Sequence, residues 1–325
     1  MPTDTLTASQ TPELSVVIPL YKEKENAQAL VEALEASLNP MGRSYELVLV
    51  DDGSPDGTAE ILAALIPSHP ALRPVYLRRN YGQSAALTAG FDAAKGKYVI
   101  TMDGDLQNDP ADIPELLSIV EKGEADVACG WRVDRKDRAA DVKIPSLIGN
   151  AFIRKLTKVR MHDYGCALRV FRAEFAKGLT LYGELHRFIP VLVSQMGARL
   201  KEIPVRHHAR ARGVSKYNIG KAPRVFLDLV LMAFFQKFAT RPIQFFGGWG
   251  LLSAALGSAM LFYLLCLKLF AGVDIGGRPM LIIGVLGVIL GALMVSIGLC
   301  AELVIRVYYE ATGRKIYTTK ATPKG

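Results

Sequence analysis

A chain of 325 residues is long enough for one sizeable domain and an appendage. Its formal net charge of +8 suits either nucleic acid or an anionic membrane surface. Two apolar runs, residues 243–267 and 280–301, hold no Asp, Glu, Lys, Arg or His and decide for the membrane and against nucleic acid. Each meets the roughly 20 residues needed to cross a bilayer, and their C-terminal place argues against a signal peptide.

Residues 1–13 read as a disordered polar leader. The run 14–20 is apolar and β-branched, as a buried strand requires. A helix is expected over 25–37, with Ala27, Leu30, Val31, Leu34 and Leu38 as one apolar stripe. A second strand over 45–50 ends in Asp51-Asp52-Gly53-Ser54, a turn followed by helix-capping residues. Residues 58–65 read as helix, 74–77 as strand, 83–94 as helix, 97–102 as strand, 112–121 as helix and 126–130 as strand. Strands alternating with helices imply a doubly wound, mostly parallel α/β sheet. A Gly-x-Gly-x-x-Gly after the first strand and a Gly-x-x-x-x-Gly-Lys-Ser/Thr are both missing, which argues against a dinucleotide-binding Rossmann enzyme and a P-loop NTPase. Residues 221–241 are too polar and too short to span. They fit an amphipathic helix in the membrane interface, or else a helix packed on the catalytic domain.

The two spans are placed at about 243–268 and 280–302 within residues 242–304, leaving a cytoplasmic tail over 305–325. Lys221, Arg224, Lys237 and Arg241 precede the first, and Arg306, Arg314, Lys315 and Lys320 follow the second. The intervening loop carries only Asp274 and Arg278, so the positive-inside rule puts both ends in the cytoplasm. Cys129, Cys166, Cys266 and Cys300 form no Cys-x-x-Cys pair and read as reduced structural thiols. His207-His208 adjoins an expected strand end, and the histidines show no zinc spacing.

The strand over 97–102 runs into Asp103-Gly-Asp-Leu-Gln107. In open α/β sheets ligands bind beyond the carboxyl ends of the strands. Residues two apart on an extended chain point the same way, so Asp103 and Asp105 can converge. Two hard oxygen donors beside a diphosphate suit Mg2+ or Mn2+, whereas the plainer alternative is an acidic turn capping the helix from Pro110.

That motif is joined by Val17-Ile-Pro-Leu-Tyr-Lys-Glu23, Val50-Asp-Asp-Gly-Ser54, Arg79-Asn-Tyr-Gly82, Asp163-Tyr-Gly-Cys166 and Gly213-Val-Ser-Lys-Tyr217. In this order, followed by two C-terminal spans, they make residues 12–320 resemble glycosyltransferase family 2, and within it the polyprenyl-phosphate glycosyltransferases. The resemblance implies a GT-A fold over residues 14–220, a nucleotide-sugar donor, expected to be UDP-linked, and a polyprenyl phosphate acceptor such as undecaprenyl phosphate. It also implies a homo-oligomer, with a tetramer among the options, and a flippase and a membrane glycosyltransferase acting downstream in the cell envelope.

For the site, the resemblance implies that Pro19, Tyr21 and Glu23 line the nucleotide pocket. Asp52 would accept from the imide N–H of uracil, or alternatively cap the next helix. Asp103 would serve ribose or metal, and Asp105 with Gln107 would hold the cation. Arg132 is the first candidate for the acceptor phosphate, followed by Lys143, Ser146, Arg210 and Lys216, because Arg offers bidentate contact and Lys a point charge. Asp163 would orient the acceptor or sugar or join Asp105 and Arg132 in catalysis; the alternative is a bond to backbone or Arg169. Glu184 and His186 would lie near the sugar, and Arg187 near the diphosphate. Two rivals stand beside this reading. A processive polysaccharide synthase would bring more spans and a Gln-x-x-Arg-Trp motif, which this chain lacks. A non-catalytic scaffold with a degenerate nucleotide site would have lost the acidic pair, which is intact.

Overall fold

Leu14–Leu20 (β1) is apolar at six of its seven positions and buried along nearly its whole length, which puts it inside a sheet covered on both faces. The computed structural model describes residues 11–133, 159, 161–181, 183–208, 234, 238 and 242–312. The chain divides into two compact units, Met1–Leu229 and Val230–Gly325. In the first, β1 lies between Tyr45–Asp51 (β2) and Tyr98–Thr101 (β4), parallel to both, and Val75–Tyr76 (β3) extends the sheet beyond β2. Val127–Trp131 (β5), Arg169–Arg172 (β6) and Leu200–Pro204 (β7) complete a seven-stranded sheet of order β3-β2-β1-β4-β6-β5-β7.

The helices follow the apolar periodicity. Ala27–Leu38 (α1) buries all five residues of its expected stripe, a set worth about 1.5–3 kcal/mol for each large side chain. Thr58–Leu65 (α2), Gln83–Ala93 (α3) and Ile113–Glu121 (α4) fall where sequence periodicity puts them. A 3-10 turn, Pro110–Asp112, opens α4, and the Asp109 carboxylate accepts from the Ala111 N–H at 2.9 Å. The capping turn and the acidic pair therefore both exist, a few residues apart. Ala173–Gly178 (α5) and Ile189–Gln195 (α6) complete the helices of this unit among the described residues.

The sheet is mostly parallel, as expected, with β6 antiparallel to both β4 and β5. Only Val170 and Phe171 of β6 are apolar, and its arginine ends hide it from a periodicity search. The leader stops short of residue 13, because the Glu13 N–H donates to the Ser44 carbonyl at 2.9 Å; residues 1–10 lie outside the described residues.

The second unit contains Pro242–Ala271 (α7) and Pro279–Thr312 (α8). Both are long and apolar enough to cross a membrane. α8 continues about ten residues past its expected end at 302. A Cβ on Gly257 would meet the Gly284 carbonyl at 2.6 Å, and the Ser253 hydroxyl donates to the Gly287 carbonyl at 2.9 Å. Small residues thus let the two helix backbones touch, as in helix pairs packed within lipid. Large side chains point the other way, Leu251 and Phe262 each 68% exposed, a surface that suits hydrocarbon and not water. The interfacial helix expected over 221–241 lies outside the described residues apart from Phe234 and Phe238.

Candidate active site

Parallel register brings the ends of β1, β2 and β4 to one rim: Leu20 pairs with Asp51, and Val17 with Thr101. The segment leaving β1 is sewn to the segment leaving β2. Lys22 N–H donates to Ser54 Oγ at 2.9 Å, Glu23 N–H to Thr58 Oγ1 at 3.1 Å and Lys24 N–H to Asp56 at 3.3 Å. The Glu23 carboxylate accepts from Asn26 Nδ2 at 2.7 Å, closing the entry to α1. Pro19, Tyr21 and Glu23 stay half-buried at this rim.

Asp52 is 3% exposed and accepts from the Tyr81 N–H at 2.7 Å and the Gly82 N–H at 2.8 Å. It holds the entry to α3, one helix further along than the one it was expected to cap. Gly53 has φ +63°, and a Cβ there would run into the backbone of Arg79. The side chain is thus missing for two reasons, conformation and space. Each Asp52 oxygen already accepts one backbone N–H, so a nucleobase at this position would meet only the remaining lone pairs.

Beyond β4, a Cβ on Gly104 would strike the Leu20 side chain, so the turn sits hard against β1. Leu106 follows with φ +60°, a conformation costing about 1–2 kcal/mol for a residue with a Cβ. Lys22, with φ +54°, is the other such non-glycine residue among the described residues, and both sit at this rim. Strain of this kind persists where surroundings over-determine the backbone. Here the clamp is visible: Asp105 accepts from the Gln107 N–H at 3.2 Å, and the Gln107 carbonyl accepts from His208 N–H at 2.8 Å.

Asp103 accepts from Gln83 Nε2 at 2.9 Å. Burial, then the nearby Asp105 charge, push its pKa up to about 6, with Arg132 and Arg169 pulling in the opposite direction. A carboxyl that resists ionising beside a second carboxylate is a place where a cation gains energy. The donor set fits a hard divalent cation. No cluster of three or more His, Cys, Asp or Glu forms among the described residues, so Gln107, substrate oxygens and water would complete the shell around the two aspartates.

Arg132 and Asp163 are a single unit. Arg132 Nε donates to Asp163 Oδ2 at 2.7 Å and Nη2 to Oδ1 at 3.0 Å. Oδ1 also accepts from the Gly165 N–H at 3.0 Å. Burial would lower the Arg132 pKa, but the Asp163 hydrogen bonds and charge more than reverse this and raise it. Of the two alternative partners expected for Asp163, backbone is met by the Gly165 N–H, whereas Arg169 donates to the Tyr164 carbonyl at 2.9 Å. Ser84 Oγ contacts His186 Nδ1 at 3.0 Å, and Arg187 pairs with Glu184 at 3.0 Å. The first turn of α3 therefore touches both Asp103 and the 184–187 segment. Lys143, Ser146, Arg210 and Lys216 lie outside the described residues. Gln83 and Glu202 were not anticipated, since their partners are 20 and 39 or more positions away and no local pattern marks them.

The model of Glycosyl transferase family 2 matches residues 15–179. The chain belongs to that family. Relatives extend the match over nearly the whole chain. The dodecaprenyl-phosphate galacturonate synthase of Rhizobium johnstonii is 45% identical, covering 93% of this chain and 90% of that protein. An undecaprenyl-phosphate 4-deoxy-4-formamido-L-arabinose transferase of Edwardsiella ictaluri is 38% identical, covering 94% and 92%. Among solved structures, glucosyl-3-phosphoglycerate synthase of Mycobacterium tuberculosis, in complex with Mn2+, UDP and phosphoglyceric acid, matches with a TM-score of 0.53. Identity is 17% over 68% of this chain and 78% of that one, a likeness of fold. The first unit of this family 2 glycosyltransferase is thus a GT-A domain.

Proposed function

We propose that this glycosyltransferase moves one sugar from a UDP-sugar to a polyprenyl phosphate, with inversion at the anomeric carbon. The observation that carries this reading is the match to polyprenyl-phosphate transferases across the catalytic unit and both apolar helices together. The rim supports it. Pro19, Tyr21 and Glu23 would border the nucleotide, with Asp52 holding the 79–82 loop against it. Asp103, Asp105 and Gln107 would hold Mg2+ or Mn2+, which when bound offsets charge on the departing diphosphate.

A phosphate acceptor is already anionic near neutral pH, so its attack needs no general base. Asp163 suits that economy: Arg132 and Gly165 occupy both its oxygens, and its work is to aim the guanidinium. The remaining outer N–H groups of Arg132 would meet the acceptor phosphate. A phosphate oxygen then forms the new bond to the anomeric carbon as the bond to the diphosphate breaks, and UDP leaves. Holding both reactants in line supplies much of the rate.

α7 and α8 would anchor the enzyme in a bacterial inner membrane with the catalytic unit and both termini in the cytoplasm, following the basic flanks. The enzyme would work as a homo-oligomer, and its product would go to a flippase and a membrane glycosyltransferase. The test is transfer of labelled sugar to undecaprenyl phosphate in detergent with Mn2+, across UDP-linked uronic acids, pentoses and hexoses. A single-sugar lipid product is expected from one of them. A polymer on the lipid, or no lipid product from any donor, defeats the reading.

A further inference from the structure

We propose that Glu202 is the positioning residue of the acceptor side: its carboxylate grips the backbone of His162 and Asp163 and so sets the Arg132 guanidinium. This rests on the reading of Arg132 given above. Glu202 lies on β7 opposite Cys129 of β5, with its side chain 10% exposed. Oε1 accepts from the Asp163 N–H at 2.8 Å, and Oε2 from the His162 N–H at 2.8 Å. Residues 162 and 163 belong to no helix or strand, so these bonds do the work that a ladder does elsewhere.

The end of β5 meets this segment residue for residue. Trp131 stacks on the His162 ring with centroids 4.3 Å apart and planes at 18°. The next residue, Arg132, makes the bidentate pair with Asp163. His162 Nδ1 lies 3.1 Å from the same Glu202 oxygen that holds its backbone. One carboxylate thus holds the segment that carries both partners of the β5 end. Bonds from backbone N–H to an ionised acceptor are about twice as strong as neutral ones. A glutamine there would accept at one oxygen but turn an NH2 toward the other N–H, so Glu202→Gln keeps the size and breaks the grip.

The experiment uses the full chain in detergent and two readouts. With undecaprenyl phosphate and the accepted nucleotide sugar, Glu202→Gln should raise the acceptor KM ~10-fold and the donor KM less than ~2-fold. In an Arg132→Ala background it should add less than ~2-fold, because a residue acting through Arg132 has nothing left to position. Equal changes in both KM values, or an undiminished effect without Arg132, would overturn the proposal. The second readout needs no substrate. The chain has two tryptophans, so Trp249→Phe leaves Trp131 as the sole reporter. Glu202→Gln should raise acrylamide quenching of Trp131 ~2-fold while the Tm moves by less than ~3 °C. Unchanged quenching overturns the proposal whatever the acceptor is. A wild-type enzyme that transfers to no polyprenyl phosphate sinks the acceptor reading alone, and quenching then decides whether Glu202 holds the segment.

Discussion

The two sides of the sheet's rim use carboxylates differently. On the β1–β2 side, Asp52 and Asp56 bind backbone N–H groups, and Asp51 accepts from the Ser54 N–H. On the β5–β7 side, Asp163 binds a guanidinium, and Glu202 holds the segment on which Asp163 sits. In the function proposed above, the first arrangement would shape a loop around a neutral base and ribose. The second would present a positive charge, prealigned by its partner, to an anion arriving from outside. Mutations on the two sides should therefore separate cleanly in their kinetics, with the acidic pair between them affecting both substrates.

The largest effect is expected at that pair. Asp105→Asn keeps shape but removes one charge from the cation site, and turnover should fall at least ~100-fold, about 3 kcal/mol of transition-state stabilisation. Chelation of the wild type with EDTA should do the same. Full activity in EDTA would remove the metal from the account. Next comes the acceptor side. Arg132→Ala leaves Asp163 buried without its cation and should raise the acceptor KM ~30-fold, with little change for the donor. Asp163→Asn should slow turnover less and leave the product's anomeric configuration unchanged. A product of the opposite anomeric configuration from wild type in that variant, judged by NMR, would mean that Asp163 touches the sugar directly.

Asp52→Ala tests the donor side. It leaves the Tyr81 and Gly82 N–H groups without their acceptor, at about 1–3 kcal/mol of stability. The donor KM should rise ~10-fold and the acceptor KM should hardly move. Equal effects of Asp52→Ala and Arg132→Ala on both substrates would erase the contrast between the two sides.

Much of this division is legible in the amino-acid sequence. The runs that became β1, β2 and β4 are apolar, and β2 and β4 lead into carboxylates, so both the sheet and its candidate rim announce themselves locally. Arg169–Arg172 and Leu200–Pro204 do not: one is short with charged ends, and the other carries Lys201 and Glu202 on a half-exposed edge. Asp163 stands out as a motif residue, but its partner Arg132 lies 31 positions away, where no local pattern links the two. Pairing across such a distance depends on the antiparallel insertion of β6, which brings the 161–168 segment back beside the end of β5. Residues held by local turns could be read from sequence; those held by strand order could not.

A smaller effect concerns pH. Asp103 titrates near 6, above the ordinary carboxylate value, because of burial and Asp105. Its stabilising contribution is present below the ordinary value near 4 and is lost as pH rises through about 6. A cation must displace that proton, so Mn2+ should bind about fourfold more weakly at pH 5.5 than at 7.5. Isothermal titration at the two pH values checks this. Tighter binding at the lower pH would show that Asp103 does not face the ion.

The smallest expected effect tests whether the donor rim is strained for a purpose. Lys22 is exposed and sits at φ +54°, held there by the bond from its N–H to Ser54. Lys22→Gly and Lys22→Ala both delete the ammonium that lies 5.5 Å from the Tyr21 ring centroid. They differ only in backbone freedom. Alanine keeps a Cβ where the left-handed conformation penalises it, and glycine does not. Glycine should therefore be about 1 kcal/mol more stable than alanine in denaturant unfolding, the reverse of their order at an ordinary position. The gain should come with a cost in binding, because a looser 21–24 segment is less ready for the nucleotide. The glycine variant should show a donor KM ~2-fold above that of the alanine variant, with equal acceptor values. If alanine proves the more stable of the two, the rim relaxes in solution, and pre-organisation by strain is no part of how the donor side works.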